Sequence, residues 1–203
     1  MAGRTSYHHG DLRNALIRAG AELAEQGGPD AVGIRSAARE VGVTPTAAYR
    51  HFTSAMDLQC AVQESALDSL AVAMRTELAN MDQNGEPADL ALRHLNAIGR
   101  AYVRHGLDEP GLFRTAFASI DGAPMNAEGR QLDSAFGILS LALDDLVESG
   151  YLPAERRPLA EFAAWSAVHG LVRLILDGPL ADLDEVNRDA LVERTLDMVA
   201  RGL

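Results

Sequence analysis

The stretch that decides the fold reads Gly33-Ile-Arg-Ser-Ala-Ala-Arg-Glu-Val-Gly42-Val-Thr44-Pro45-Thr-Ala-Ala-Tyr49-Arg-His51-Phe52. Its pattern predicts two short helices joined by a tight turn that contains glycine, which is the arrangement of a helix-turn-helix. Gly42 suits the left-handed position that follows a helix. Thr44 is a favourable N-cap and Pro45 a favourable first helical residue, so the second helix is expected to run from Pro45 to about Phe52.

The second short helix is predicted to present its first turn outwards. The small core between the two helices is expected to contain Ala38, Val43, Ala48 and Phe52. The residues left projecting from the start of the second helix are Pro45, Thr46, Ala47 and Arg50. A recognition helix presents this part to base edges in the major groove of DNA.

Three further side chains are predicted to meet DNA. Tyr49 and His51 offer a hydroxyl and a ring N–H to phosphates, and Arg35 is placed to reach a base or a phosphate. The alternative from pattern alone is a pair of short surface helices without a role in DNA binding, because helix-turn-helix geometry is common.

The sequence outside this segment also predicts helices and no strands. Apolar residues recur at steps of three and four between glycine and proline breaks, which is typical of amphipathic helices. The later helices are expected near 55–82, 88–105, 109–119, 127–149, 156–177 and 187–202. The sequence therefore predicts an all-α fold of about nine helices, with an N-terminal helix-turn-helix domain followed by a larger helical domain.

The last two long helices are predicted to form a dimer interface. The segment 159–176 is apolar on more than one face, so it has to be buried on several sides. On the final helix the apolar residues step by four, three and four: Val192, Leu196, Val199 and Leu203. Two such helices from each chain predict a four-helix interface with twofold symmetry, which places two recognition helices about 34–36 Å apart on DNA.

Charge and composition limit the other classes of function. The net charge of −11 resides entirely beyond residue 60, because residues 1–60 hold as many arginines as acids, so DNA binding is not excluded. One cysteine, Cys60, and the lack of an apolar run of about 18–20 residues predict a cytoplasmic protein without membrane contact. No Glu-x-x-His pair, His-Glu-x-x-His motif or glycine-rich phosphate loop is present, so no metal, cofactor or catalytic residue is expected and the chain is predicted not to be an enzyme.

The segment from Tyr7 to Leu58 resembles the DNA-binding domain of the TetR family of repressors. The resemblance rests on the opening Tyr7-His-His-Gly-Asp-Leu-Arg13, on Val41-Gly-Val-Thr44 and on Ala48-Tyr-Arg-His-Phe52. Further on, Trp165-Ser-Ala-Val-His169-Gly170 is similar to the tryptophan–histidine–glycine motif of one TetR branch. The resemblance implies groove contacts by Arg35, Thr46 and Ala47, and phosphate contacts by Thr44, Tyr49 and His51.

One position departs from the family pattern. Family members usually carry a lysine three residues after the conserved phenylalanine, where this chain has Ala55. A lost phosphate contact is expected to weaken binding and to flatten its salt dependence. The N-terminal arm, with Arg4, Tyr7 and His8, is a candidate to replace part of this contact; the alternative is a disordered tail that does not contact DNA.

The resemblance also implies a DNA-binding domain at 1–55 and a ligand-binding and dimerisation domain at 56–203. The second of these is expected to enclose a mainly apolar pocket for a small-molecule effector. The candidate lining residues are Met74, Ile98, Tyr102, Phe113, Phe117, Phe136, Trp165 and His169. The alternative for each is an ordinary core residue, since apolar residues on a helical stripe are most often core. Ligand binding is expected to tilt the long helix at 55–82 and to release the homodimer from a double-stranded DNA operator, as a repressor. The competing function is a dimeric helical adaptor or small-molecule binding protein without specific DNA binding, for which Ala55 is the best support.

Overall fold

A computed structural model describes residues 9–119 and 134–202 of the chain. Within these ranges every regular element is helical, which confirms the predicted all-α fold. The nine α-helices of the described chain are α1 (His9–Gly27), α2 (Ile34–Val41), α3 (Pro45–Ala48), α4 (Ala55–Asn80), α5 (Pro87–Asp108), α6 (Pro110–Ala116), α7 (Ala135–Glu148), α8 (Ala160–Asp177) and α9 (Glu185–Gly202).

The helices form two compact units. The first unit extends to Leu67 and also includes the segment that starts at Glu109, so it contains α1 to α3, the first half of α4, and α6. The second unit contains the remainder of α4 with α5, α7, α8 and α9. The predicted boundary between the DNA-binding and ligand-binding domains, at residues 55 and 56, stays a prediction, because a compact unit and a functional domain need not end at the same residue.

The first unit is built on a core beneath α2 and α3. The fully buried large side chains of this core are Leu16, Phe52, Leu58 and Val62. Ala38 and Ala48 are also fully buried, and Val43 packs against the same cluster while half-buried. Because burying a large apolar side chain contributes about 1.5–3 kcal/mol, this cluster fixes the two short helices on α1 and α4.

The turn between α2 and α3 has the predicted geometry. Gly42 adopts φ 74° and ψ 30°, the left-handed conformation that glycine tolerates without strain, and its N–H donates to carbonyls of α2. The second helix is shorter than predicted. Its regular part ends at Ala48, and the N–H groups of Arg50 and His51 donate to carbonyls three residues back, which tightens the chain into turns. This tightening brings Phe52 into the core.

In the second unit α5 packs against α7, α8 and α9. Arg100 on α5 donates two hydrogen bonds of 2.6 Å to the carboxylate of Glu193 on α9, and this pairing lowers the pKa of Glu193. Arg156 donates to the carbonyl of Gly202 at 2.6 Å, which satisfies one of the free carbonyl groups at the end of α9.

The start of α8 differs from the prediction. A short 3-10 turn spans Ala154–Arg156, and α8 begins at Ala160 after Leu159, which adopts a left-handed conformation with φ 66°. Arg157 donates to carboxylates of Asp144 and Glu161, both at 2.7 Å, and so fixes this corner. The helix predicted from residue 156 therefore starts one turn later.

Candidate DNA interface and ligand site

The start of α3 is organised by Thr44. Its Oγ1 accepts a hydrogen bond from the Ala47 N–H at 3.3 Å, which caps α3 as predicted. A hydroxyl that accepts a cap bond retains a proton of its own to donate. Thr44 is exposed, so that proton is accessible to a phosphate oxygen.

The residues predicted to meet DNA are close together in sequence, and all lie in the first unit. The exposed members of the set are Arg35, Thr44, Pro45, Thr46, Tyr49 and Arg50. Ala47 and His51 are half-buried. An exposed row of arginine, hydroxyl and small side chains beside a buried core supplies the donors that duplex DNA requires.

The start of α4 carries no cation. The Asp57 carboxylate accepts from the Thr53 N–H at 2.8 Å, and the Ser54 hydroxyl accepts from the Asp57 N–H at 3.1 Å; together these bonds cap the start of α4. Ala55 is exposed here, and the neighbouring Met56 is 41 % exposed. The arm residues Arg4, Tyr7 and His8, which were expected to supply positive charge, lie outside the described residues.

A hydrogen-bonded chain of three side chains lies between α5 and α8 of the second unit. The Trp165 Nε1–H donates to the Tyr102 hydroxyl oxygen at 3.0 Å, and that hydroxyl lies 2.8 Å from His169 Nδ1. Indole N–H can only donate, so we assign the Tyr102 proton to the bond with His169. His169 is then neutral and carries its proton on Nε2.

The pKa values of both titratable members favour this arrangement. Burial raises the pKa of the Tyr102 phenol well above its ordinary value, against a smaller opposing effect of the bond from Trp165. Burial lowers the pKa of His169, and the positive charge of Arg173 lowers it further. At neutral pH the three hydrogen-bonded side chains, Trp165, Tyr102 and His169, are therefore all uncharged.

Aromatic rings extend this cluster. The Phe136 ring lies 6.1 Å from Trp165 and 5.5 Å from Phe162, measured between centroids. Met74 and Ile98 are buried in the same unit. Phe113 and Phe117 belong to the first unit, where their ring centroids are 5.0 Å apart. The structure thus brings together Tyr102, Phe136, Trp165 and His169 of the predicted lining.

Two family models match the chain. The model described as "Bacterial regulatory proteins, tetR family" matches residues 16–58, and "Tetracyclin repressor-like, C-terminal domain" matches residues 95–199, more than half of the chain. The chain belongs to the TetR family. It is accordingly a transcription regulator with a DNA-binding helix-turn-helix and a ligand-binding C-terminal domain, and not an enzyme. Regulators of this family bind DNA operators, form dimers and bind small molecules.

Individual relatives of this TetR-family chain are distant in sequence. It is 24% identical to YobS of Bacillus subtilis, an uncharacterized HTH-type transcriptional regulator, over 82% of this chain and 80% of YobS. A solved protein of unknown function from Rhodococcus sp. RHA1 is 24% identical, with a TM-score of 0.78 over 98% of this chain and 99% of that one. The TetR family regulator PfmR of Thermus thermophilus is 21% identical, with a TM-score of 0.62 over 93% and 98%. At these identities the solved structures show the shared fold.

The described parts of this TetR-family chain contain neither a metal cluster nor a membrane-spanning helix. Among residues 9–119 and 134–202, no three His, Cys, Asp or Glu side chains are grouped as a metal site requires. None of the helices in those ranges combines the length and the apolar character needed to cross a bilayer.

Acidification is expected to destabilise the protein partly through His169. Its folded-state pKa lies below the unfolded value of about 6.5, so the unfolded chain binds the proton first as the pH falls. The free energy of unfolding is therefore expected to fall between pH 6.5 and the folded-state pKa, by at most ~1.4 kcal/mol per pH unit and by less because the ring is half-exposed.

Urea unfolding of the wild type and of His169→Gln at pH 7.5 and 5.5 measures this contribution. Glutamine keeps an acceptor for the Tyr102 hydroxyl and does not titrate, so the variant should lose less stability than the wild type. Equal losses in both proteins would show that His169 does not contribute.

Proposed function

We propose that this TetR-family protein is a ligand-responsive repressor that works in the cytoplasm as a homodimer. In this proposal it binds a pseudo-palindromic operator and leaves it when a small molecule occupies the second unit. One observation carries the proposal: Arg35 on α2, Thr46 on α3 and Arg50 just after α3 are exposed, while the other side of the two short helices forms a buried core. A core that fixes the helices while their polar side faces water is what a groove-reading element requires.

Within this proposal the DNA contacts divide by chemistry. The residues proposed to meet base edges lie on α2, on α3 and just after its end at Ala48: Arg35, Pro45, Thr46, Ala47 and Arg50. The residues that donate to phosphates each carry a hydroxyl or a ring N–H: Thr44, Tyr49 and His51. Phosphate contacts set the register of the protein on the duplex, and base contacts select the sequence.

The small-molecule site is proposed in the second unit, around the chain from Trp165 through Tyr102 to His169. We assign the protein to the TetR branch with a tryptophan–histidine–glycine motif. The geometry supports this, because Trp165 and His169 lie one helical turn apart and both bond the Tyr102 hydroxyl. Phe136, Met74 and Ile98 are proposed to supply the apolar surroundings.

The homodimer is proposed to form through α8 and α9. Both helices keep large apolar side chains exposed on the isolated chain. The most exposed of these are Phe162 and Leu174 on α8, at 48 % and 45 %, and Val186 and Met198 on α9, at 79 % and 60 %. Exposed apolar surface of this size marks an interaction site.

The second candidate is a dimeric helical adaptor without specific DNA binding. The exposed Ala55 and Met56 favour it, because the start of α4 presents an apolar surface where a phosphate-binding cation is common in the family. An experiment that selects DNA sequences from a random pool distinguishes the two functions, because only the regulator would select a specific sequence.

Arg35→Ala is expected to weaken specific DNA binding by about 1–3 kcal/mol, the usual contribution of a bidentate contact between an arginine and a base edge. Duplexes that the wild type binds are first selected from a random pool. The selected duplex is then titrated by fluorescence anisotropy at two salt concentrations, with unrelated DNA as competitor.

Arg75→Ala is the matched control, since it removes the same charge from an exposed position of α4 in the second unit. Ala55→Lys tests the family departure and should steepen the salt dependence by about one unit of slope. If selection yields no sequence that resists competitor DNA, the regulator proposal fails and the adaptor takes its place.

A further inference from the structure

Arg13 is an exposed cation on α1, and its side chain contacts the residue that ends the helix-turn-helix. Its guanidinium carbon lies 5.2 Å from the centroid of the Phe52 ring, within the range of a cation–π contact. We propose that Arg13 binds a DNA phosphate and so supplies the positive charge that Ala55 does not provide at the start of α4. This inference rests on the proposed function and adds one DNA contact to it.

The position of Arg13 follows from the core of the first unit. Its neighbours on α1, Leu12 and Leu16, pack in that core, and Leu16 is fully buried. Phe52 is fully buried as well, whereas the arginine above its ring is exposed. The arginine stem therefore covers the edge of the core while its charged end lies at the surface, as is usual for long basic side chains.

The contact with Phe52 places this cation close to residues that are proposed to meet the DNA backbone. His51 directly precedes Phe52, and Ala55 follows it by three residues. Three residues span at most about 10 Å of extended chain. Charges follow one another at about 3.4 Å of axial rise along each DNA strand, so a cation displaced by that distance still meets the same phosphate backbone. Arg13 does not have to bind the same phosphate as the lysine that is usual in the family.

The charge balance of this surface is unfavourable for DNA without a further cation. Between Thr44 and Leu58 the chain has one arginine, Arg50, and one acid, Asp57, with histidine counted as neutral. A surface without net positive charge gains little from DNA, because binding to phosphates is electrostatic and releases counterions. Arg13 comes from another helix and makes the balance positive.

The guanidinium of Arg13 is available to a phosphate. Across residues 9–119 and 134–202 it has no salt bridge and no side-chain hydrogen bond. Arg39 on α2, in contrast, lies 3.8 Å from the Glu40 carboxylate. A cation–π contact uses the charge and leaves the N–H groups of arginine to donate, and two of them can bind one phosphate side by side.

The salt dependence of DNA binding distinguishes a phosphate contact from a purely structural role of Arg13. Each phosphate contact steepens the fall of the logarithm of the binding constant with the logarithm of salt concentration by about 0.9. Arg13→Gln keeps part of the stem and removes the charge, so the slope should become shallower by about 0.9 for each bound protomer. Between about 50 and 200 mM salt the variant should then lose about three- to fourfold less affinity per protomer than the wild type. Anisotropy of the selected duplex, titrated with the full-length protein at several salt concentrations, measures this slope.

Three further variants make the test specific. Arg13→Lys retains the charge and should keep the wild-type slope. Arg18→Gln is the matched control, because it removes the same charge from an exposed position five residues further along α1, about 140° around the helix. Arg13→Gln combined with Ala55→Lys should return to the wild-type slope, since the new cation at the start of α4 replaces the one that was removed.

Folding of each variant is checked without DNA, by hydrogen exchange of peptides covering residues 34–52. If Arg13→Gln loses protection there, Arg13→Met takes its place, because methionine packs on an aromatic ring without a charge.

An unchanged slope in the folded variant overturns the inference, and so does a loss of affinity that is equal at every salt concentration. The proposed function stands in both cases. A shallower slope in Arg4→Gln but not in Arg13→Gln also overturns it, by assigning the cation to the N-terminal arm. If no specific duplex is selected, the proposed function fails, and the same titrations on unrelated DNA decide this inference, because a phosphate contact does not depend on base sequence. A protein that binds no DNA refutes both.

Discussion

Phe52→Ala is expected to lower the free energy of unfolding of the first unit by about 3–5 kcal/mol, the usual cost of truncating a buried phenylalanine. Phe52 is fully buried among Leu16, Leu58 and Val62, and the Arg13 guanidinium covers its ring at 5.2 Å from the centroid. Whole domains are stable by only about 5–15 kcal/mol, so this loss removes a large fraction of the stability that holds the helix-turn-helix, and DNA binding should weaken.

The measurement has to report on the first unit alone. Tryptophan fluorescence does not do this, because the only tryptophan lies in the second unit. Hydrogen exchange of peptides covering residues 34–52 does this, and these peptides should lose protection while those of α8 retain it. Met56→Ala is the control, since Met56 is 41 % exposed and its truncation should change exchange little. Full protection of residues 34–52 in Phe52→Ala would mean that this core does not hold the two short helices.

The helix-turn-helix could be predicted because its determinants are local. Gly42, Thr44 and Pro45 each impose a backbone geometry within a few residues, and the structure confirms the turn and the cap. The predicted end of α3 was wrong. After Ala48 the chain could continue as a helix or tighten into a turn that buries Phe52, and the outcome depends on a core to which residues distant in sequence contribute.

The position of α6 could not be predicted because it depends on pairs that are far apart in sequence. Glu25 bonds Leu112 across 87 residues, and Gln63 bonds Ala118 across 55. The sequence around a polar residue on a helix does not indicate which distant residue it will bond. Gly111 follows Pro110, and on sequence grounds this pair indicates a break between helices without naming the helix that approaches it.

The hydrogen-bonded cluster between α5 and α8 could be anticipated only in part, for the same reason. The spacing of Trp165 and His169 places both on one side of α8, but their shared partner Tyr102 lies on another helix. Apolar periodicity marks a residue as buried without saying in which core. Phe113 and Phe117 therefore could not be separated from the second-unit residues by pattern alone.

Gly170→Leu is expected to abolish the homodimer while leaving the protomer folded. Glycine within a helix costs roughly 0.8–1.0 kcal/mol relative to alanine, and a Cβ at Gly170 would meet nothing within 4 Å. The described protomer therefore gives no reason for glycine here. The exposed or half-exposed residues of this face of α8 are spaced by four: Phe162, Ser166, Gly170 and Leu174. A small residue at the centre of such a face lets a second helix cross closely, and we expect α8 of a second copy to cross there.

Sedimentation and thermal unfolding together test this expectation. Gly170→Leu should sediment as a monomer, and at matched protomer concentration its α8 should remain helical because leucine favours the helix more than glycine does. Gly170→Ala should dimerise more weakly than the wild type, since one methyl group only partly fills the crossing. Ala79→Leu adds similar bulk at an exposed position of α4 and should remain dimeric.

The loss of the dimer should have its largest effect on the affinity for DNA. A dimer holds its second recognition helix at high effective concentration near the second half-site, and this raises the affinity about 10²–10⁴-fold over that of a single recognition helix. Gly170→Leu should therefore bind the selected duplex that much more weakly, although every residue of its helix-turn-helix is unchanged. A Gly170→Leu protein that remains dimeric and binds as the wild type would place the interface elsewhere. Wild-type affinity from a monomer would instead show that one recognition helix suffices and that the operator is not a pseudo-palindrome.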